Sequence, residues 1–234
     1  MTVGRRGFRW GWRLLLLALL VLAGVQLWFF AHIAYWKFQN PGPTAFMDHE
    51  LARLRAKDPN ATLRQQWTPY ERISNNLKRA VIAAEDARFN EHEGVDWQAV
   101  EKAYEENMRR GRPVKGGSTI SQQLAKNLFL SPERSYLRKA QELIITGMLE
   151  FAWDKRRILE VYLNVAEWGD GVFGAEAAAR HYYGVSAAQV DAEQAARLAA
   201  FLPSPKRYGR LRSGPFLDRR TEHILRYMPV TQVP

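Results

Sequence analysis

The hydrophobic pattern divides the chain at its amino-terminal end. From Leu14 to Phe30 there is no charged residue and one polar one, Gln26, and apolar character continues through Ala31, Ile33, Ala34, Tyr35 and Trp36. A helix over residues 14–36, at about 1.5 Å rise per residue, crosses a hydrocarbon core of roughly 30 Å. Arg5, Arg6, Arg9 and Arg13 precede the run and the next cation is Lys37. This asymmetry predicts a cytoplasmic amino terminus, residues 1–13, and export of the rest. A cleaved signal peptide carries an apolar core of about 7–15 residues and a small-x-small site. The present run is longer and ends in bulky aromatics, which predicts an uncleaved anchor.

Beyond the anchor, Asn40 to Pro43 reads as a turn-rich break. Residues 37–69 are read as a juxtamembrane linker region, with a short helix and a loop in the polar stretch 48–70, and residues 70–234 as one globular domain. Ile73, Leu77, Ala80, Val81 and Ala84 recur at the three-and-four spacing of a helix face, ending at Glu85 and Asp86. Thr119 with Gln122 predicts a capping box, with Ile120, Leu124 and Leu128 inward. Ser131-Pro132-Glu133 suits a third helix start running to about Trp153, and Asp154 can cap a fourth that buries Ile158, Leu159, Tyr162 and Leu163. Alanine-rich helical segments follow at 174–183 and 187–202. No run alternates as a strand does, so the fold class predicted is mostly α.

Composition narrows the chemistry. The chain has 234 residues, 47% hydrophobic and 25% charged, enough for one sizeable core and a small appendage. Net charge is +10, which attracts nucleic acid, anionic lipid or diphosphate-bearing substrates alike. There is no cysteine, so disulfides, thiolate metal sites and cysteine nucleophiles are excluded. The five histidines are scattered, which gives little support to a metal cage or a serine–histidine site.

Carboxylates are the better candidates. Glu85 follows Val81-Ile82-Ala83-Ala84, an apolar setting that can raise a carboxyl pKa and suit it to proton transfer; the other reading is an ordinary acid on a helix edge. Gly116-Gly117 lead into a helix start whose free amides suit anionic oxygens, and Gln123 and Lys126 share a polar face there. A solvated helix surface after a flexible turn produces the same pattern. Arg138 and Glu142, four apart with Lys139 adjacent, read either as a structural ion pair or as charges gathered near a diphosphate.

Together these segments resemble the glycosyltransferase domain shared by monofunctional biosynthetic peptidoglycan transglycosylases and bifunctional penicillin-binding proteins, over roughly residues 70 to 225. Ala83-Ala84-Glu85-Asp86-Ala87-Arg88-Phe89-Asn90-Glu91-His92-Glu93-Gly94 is similar to the first motif of that family, residues 116–128 to the second, and Arg138-Lys139-Ala140-Gln141-Glu142 to the third. Residues 155–164 with 169–183 resemble the fourth, and Phe201-Leu202-Pro203-Ser204-Pro205 the fifth. Ser121 stands where many members have threonine, which keeps the hydroxyl. The end of the sequence at residue 234 without a transpeptidase domain points to the monofunctional branch.

The resemblance implies a lysozyme-like helical domain that polymerises lipid II into glycan strands and releases polyprenyl diphosphate. It implies Glu85 as general base for the acceptor 4-hydroxyl and Glu142 as a second acid assisting the leaving group. Lys126, Arg138 and Lys139 match diphosphate-binding cations, Ser118, Thr119 and Gln123 line the donor site, and Asp86, Phe89 and His92 support it; Tyr162 and Asn164 read as scaffold. No metal ligand cluster is seen, although a divalent cation, magnesium or manganese, assists the diphosphate in that family. Expected partners are lipid II, the growing strand, membrane lipids and other cell wall synthesis or division proteins. Nucleic acid is excluded because an exported domain lies on the wrong side of the inner membrane. The rivals are a lytic enzyme acting on finished peptidoglycan, against which the cations argue, and a catalytically silent cell wall scaffold, against which both glutamates argue.

Overall fold

A computed structural model of the chain describes residues 3–111, 116–133 and 135–234. The chain forms two units, Met1–Gln39 and Asn40–Pro234. The first is helix α1, Val3–Trp36. Its stretch Trp10–Trp36 has a mean hydropathy of 2.5 and is long and apolar enough to cross a membrane. Leu14, Leu17, Leu20 and Leu27 are all more than half exposed. Apolar surface of that extent on every side of a helix is stable in hydrocarbon, not in water.

The second unit begins with α2, Ala45–Arg55, whose first free amides are met by Thr44. A two-residue strand β1, Arg64–Gln65, follows. Helix α3, Asn75–Glu85, is capped by Ser74 and carries Leu77, Ala80 and Val81 into the core, as the periodicity predicts, with Ile82 buried beside them. Helix α4, Trp97–Arg110, is capped by Asp96 and stops at Gly111, whose φ of 63° is the left-handed conformation glycine adopts without strain. Helix α5, Ile120–Phe129, starts from the predicted capping box of Thr119 and Gln122.

Helix α6 spans Tyr136–Ala152. Its cap is Ser135, which accepts the Arg138 N–H at 3.1 Å, and not Ser131. Two serines four residues apart offer the same hydroxyl, and it is Ser135 that meets the free amide. Helix α7, Lys155–Val165, is capped by Asp154 and buries Ile158, Leu159, Tyr162 and Leu163, as expected. Strands β2, Glu167–Gly169, and β3, Val172–Phe173, join β1 in a three-stranded sheet ordered β1-β3-β2, with β1 parallel and β2 antiparallel to β3. The sequence reading had no strands. These are two or three residues long, and β2 and β3 are buried throughout, so no alternation marks them.

Helices α8, Ala175–Tyr183, α9, Ala192–Phe201, α10, Pro205–Leu211, and α11, Pro215–Tyr227, complete the unit, followed by a 3-10 turn Met228–Val230. Helix α9 begins later than the alanine run suggests, because Asp191 and Gln194 form its capping box while the Ala187 N–H is held by Glu176 at 2.7 Å. The hydrophobic pattern did not single out α4, α10 or α11. Helix α3 packs against α9 and α11, and α5 against α2, α6 and α7. Residues 40–69, read from sequence as linker, lie within this compact unit: α2 rests on α5, and Asn164 exchanges two hydrogen bonds with the Thr68 backbone at 2.7 and 2.9 Å. The described chain is mostly helical, as predicted.

Candidate active site

The last residue of α3 is Glu85, and it opens onto a cleft of about 670 Å³ whose walls include Asp86, Gly116, Ser118, Thr119, Gln123 and Arg220. The Glu85 side chain is 10% exposed, and each oxygen accepts a hydrogen bond. Gln123 Nε2 on α5 donates to Oε2 at 2.8 Å, and Arg220 Nη2 on α11 donates to Oε1 at 3.0 Å. Tyr162 on α7, fully buried, donates its hydroxyl to Gln123 Oε1 at 2.9 Å. That bond settles which end of the amide faces Glu85, since the flipped amide would set its oxygen against the carboxylate. Burial raises the Glu85 pKa above the usual carboxylate range, opposed by the Gln123 hydrogen bond and by Arg220; the adjacent Asp86 charge raises it further.

Asp86 ties this helix end to the next. Its Oδ2 accepts the Ile120 N–H at 3.0 Å, meeting a free amide of α5, and its Oδ1 accepts His92 Nε2 at 2.9 Å. The carboxylate oxygen can only accept, so Nε2 carries the proton of that bond. Thr119 donates its hydroxyl to the Gly94 carbonyl while its own oxygen receives the Gln122 N–H. Phe89 is fully buried, with Lys155 Nζ 4.7 Å above its ring centroid, and Lys155 also donates to the His92 carbonyl at 2.6 Å. Asp86, Phe89 and His92 thus fix the loop between α3 and α4 against α5.

A cationic group is built on α6. Glu142 is buried, and both of its oxygens are taken: Arg138 Nη1 donates to Oε2 at 2.7 Å and Lys139 Nζ donates to Oε1. Lys139 also donates to Ser118 Oγ at 3.4 Å, which links this group to the cleft wall. Lys126 on α5 lies beneath, its ammonium 5.6 Å from the Phe46 ring centroid. Its pKa is lowered, mainly by burial; Glu142 opposes this, and Arg138 and Lys139 add to it. Bringing three cations to one place around a single buried carboxylate leaves a surplus of positive charge that favours an anion.

The same geometry bears on a divalent cation. Both oxygens of Glu142 are already bonded to cations, so it offers no free ligand. Among the described residues the carboxylates that converge are Glu50, Glu167 and Asp170, with oxygens within 4.8 Å of one another. Arg53 pairs with Glu50 and Asp170, Lys206 with Glu50, and Arg210 with Asp170. Glu50 and Asp170 are thus paired with basic side chains, and none of the three acids lines the cleft. Among the described residues, no group of three metal-ligating side chains converges at the cleft.

Of the residues singled out from sequence, Glu85, Asp86, Ser118, Thr119 and Gln123 line the cleft. Glu142, Arg138, Lys139 and Lys126 form the adjoining cationic group, and Phe89 and His92 stand behind. Sequence reasoning missed Arg220 and read Tyr162 as scaffold. In α11 the buried positions are Leu217, Thr221 and Ile224, and Arg220 falls at the edge of that face, three after Leu217. This spacing was the available signal.

A mostly helical domain with a buried carboxylate at the mouth of a cleft, beside a group of cations, defines a glycosyl-transfer type of site. Residues 50–229 match the family described as transglycosylase, and the chain belongs to that family. It is 60% identical over 223 residues to a biosynthetic peptidoglycan transglycosylase of Janthinobacterium sp. (strain Marseille), covering 95% of this chain and 96% of the relative. The corresponding protein of Dechloromonas aromatica (strain RCB) is 61% identical over the same shares. That of Nitrosospira multiformis is 57% identical over 226 residues, 97% and 98% of the two chains.

Proposed function

We propose that the chain is a peptidoglycan glycosyltransferase of cell wall synthesis, which polymerises lipid II into glycan strands and releases polyprenyl diphosphate. The observation that carries the mechanism is the placement of Glu85: a desolvated carboxylate whose two oxygens are each bonded once, leaving lone pairs toward the cleft. As general base it accepts the proton of the acceptor sugar's 4-hydroxyl while that oxygen attacks the anomeric carbon of the donor. The bond to the diphosphate breaks in the same step, and negative charge develops on the departing oxygens. Lys139 and Arg138, held in place by Glu142, meet that charge together with Lys126, so that Glu142 assists departure through the cations it positions. A neutral glycan undergoing cleavage has no such leaving group, so the cationic group favours synthesis over lysis.

Helix α1 suits this substrate. A polyprenyl carrier confines its diphosphate to the bilayer surface, and a domain tethered there meets it without a three-dimensional search. The four arginines at the start of α1, ahead of its uncharged stretch, support a cytoplasmic amino terminus and a catalytic domain on the periplasmic side of the inner membrane. Membrane lipids and cell wall synthesis or division proteins are the further partners of this reading.

The test is glycan polymerisation by the full chain from purified lipid-linked disaccharide-pentapeptide. Wild type is expected to form polymer and Glu85→Gln to lose at least about a hundredfold in rate, within the range general base catalysis contributes. A Glu85→Gln variant as active as wild type would overturn the assignment of the base.

A further inference from the structure

Arg220 reaches the cleft from α11, in a part of the chain beyond every motif that carried the resemblance. Its Nη2 donates to two acceptors of α3: Glu85 Oε1 at 3.0 Å and the Ala84 carbonyl at 3.2 Å. The second bond fixes the guanidinium to the helix backbone that ends on Glu85. This pair is therefore held more rigidly than an exposed ion pair between two mobile side chains. With Gln123 on the other oxygen, the carboxylate is clamped from α5 and α11 at once.

Arg220 is the cation that balances this acid among the described residues. On α3's own end stands Asp86, another acid. Helix α5 offers the neutral Gln123, and α7 the buried Tyr162 hydroxyl. Helix α9 packs on α3 with Ala195, Leu198, Ala199 and Phe201 buried, while its Arg197 pairs with Asp218 at 2.7 Å. The 3-10 turn Met228–Val230, also against α3, carries no titratable side chain.

We propose that Arg220 is a positioning residue for the base: it keeps Glu85 ionised near neutral pH and aims its free lone pairs into the cleft. This rests on Glu85 acting as the base. A buried carboxyl prefers to hold its proton, and a protonated carboxyl cannot accept another from the attacking hydroxyl. Removing the cation leaves desolvation and Asp86 unopposed except by Gln123. The acid limb of the rate profile then moves to higher pH, and activity returns once the pH passes the new midpoint.

The experiment measures polymerisation of lipid-linked disaccharide-pentapeptide by the full chain in detergent micelles from pH 5 to 9, for wild type, Arg220→Gln, Arg220→Lys and Glu85→Gln. Arg220→Gln is expected to raise the acid-limb midpoint of kcat by about 1–3 units, the effect of an adjacent opposite charge, with KM little changed. Arg220→Lys restores most of that shift. An unmoved limb with a raised KM would make Arg220 a substrate contact and overturn the proposal. So would an equal loss at every pH that lysine does not rescue. If the glutamine variant does not fold by circular dichroism, Arg220→Met and Arg220→Lys make the same comparison of charge removed with charge kept. Full activity of Glu85→Gln would instead sink the underlying base assignment, whatever the Arg220 variants do.

Discussion

Replacing Glu167 with glutamine is expected to make the fold more stable above neutral pH. Glu167 opens β2 and is 7% exposed, with Oε1 making no hydrogen bond. Its nearest cation, Lys206, is 3.9 Å from Oε2 and is more closely engaged by Glu50. Burial pushes its pKa up to about 8; Lys206 opposes this, Glu50 adds to it, the Gly171 backbone hydrogen bond opposes it and Asp170 adds to it. The native acid is therefore protonated where the unfolded chain has already lost its proton. The stabilising effect of that proton is fully present below the unfolded value of 4.5 and disappears as pH rises through about 8.

At about 1.4 kcal/mol per unit, linkage predicts that this one group removes roughly 3 kcal/mol of stability between pH 6 and pH 9. In a domain of this size that is a fall in Tm of about 6–12 °C. The amide of Glu167→Gln keeps the shape and does not ionise. Thermal unfolding of both proteins in detergent, followed by far-ultraviolet circular dichroism, gives the difference in Tm as a function of pH and cancels every other titrating group. The two curves should lie nearest at pH 5 and part steadily towards pH 9, glutamine above. Parallel curves across that range would mean Glu167 is already ionised in the native state, paired with Lys206, and the desolvation reasoning would be refuted.

Two further outcomes follow from the site. Tyr162→Phe removes the hydroxyl that orients Gln123 and leaves the amide oxygen unpaired in a buried place; polymerisation should slow by about tenfold, the scale of 1.4 kcal/mol in a barrier, with a wild-type KM. Gly94→Ala puts a methyl 2.7 Å from Thr146 Cγ2 at a φ of +89°, and denaturant unfolding should show a loss of at least about 2 kcal/mol. An alanine variant as stable as wild type would show that the loop after α3 is not pinned against α6.

The parts of the fold that sequence reveals are those set by local rules. The anchor follows from an uncharged run, the start of α5 from Thr119 and Gln122, and the apolar faces of α3 and α7 from spacing. The desolvated setting of Glu85 was legible for the same reason, since Val81 and Ile82 lie within one turn of it. Arg220 was not, because its partner is 135 residues away and no periodicity reports a bond across that separation. The role of Tyr162 was hidden too: spacing shows that the ring points inward, and only packing shows where the hydroxyl ends. Ser131 and Ser135 illustrate a third limit, two equivalent local signals for one helix start. The strands are shorter than the period that would reveal them.

Glu85 on α3 is held by three side chains, Gln123 of α5, Tyr162 of α7 acting through it, and Arg220 of α11, so the base has its full set of partners only when the chain has been made through residue 220. A nascent chain emerging amino end first can form α3, α5 and α7 and still carry an unbalanced buried acid. The last long helix is thus the one that completes the reactive group, and a chain whose synthesis is interrupted before α11 lacks the cation that balances its base.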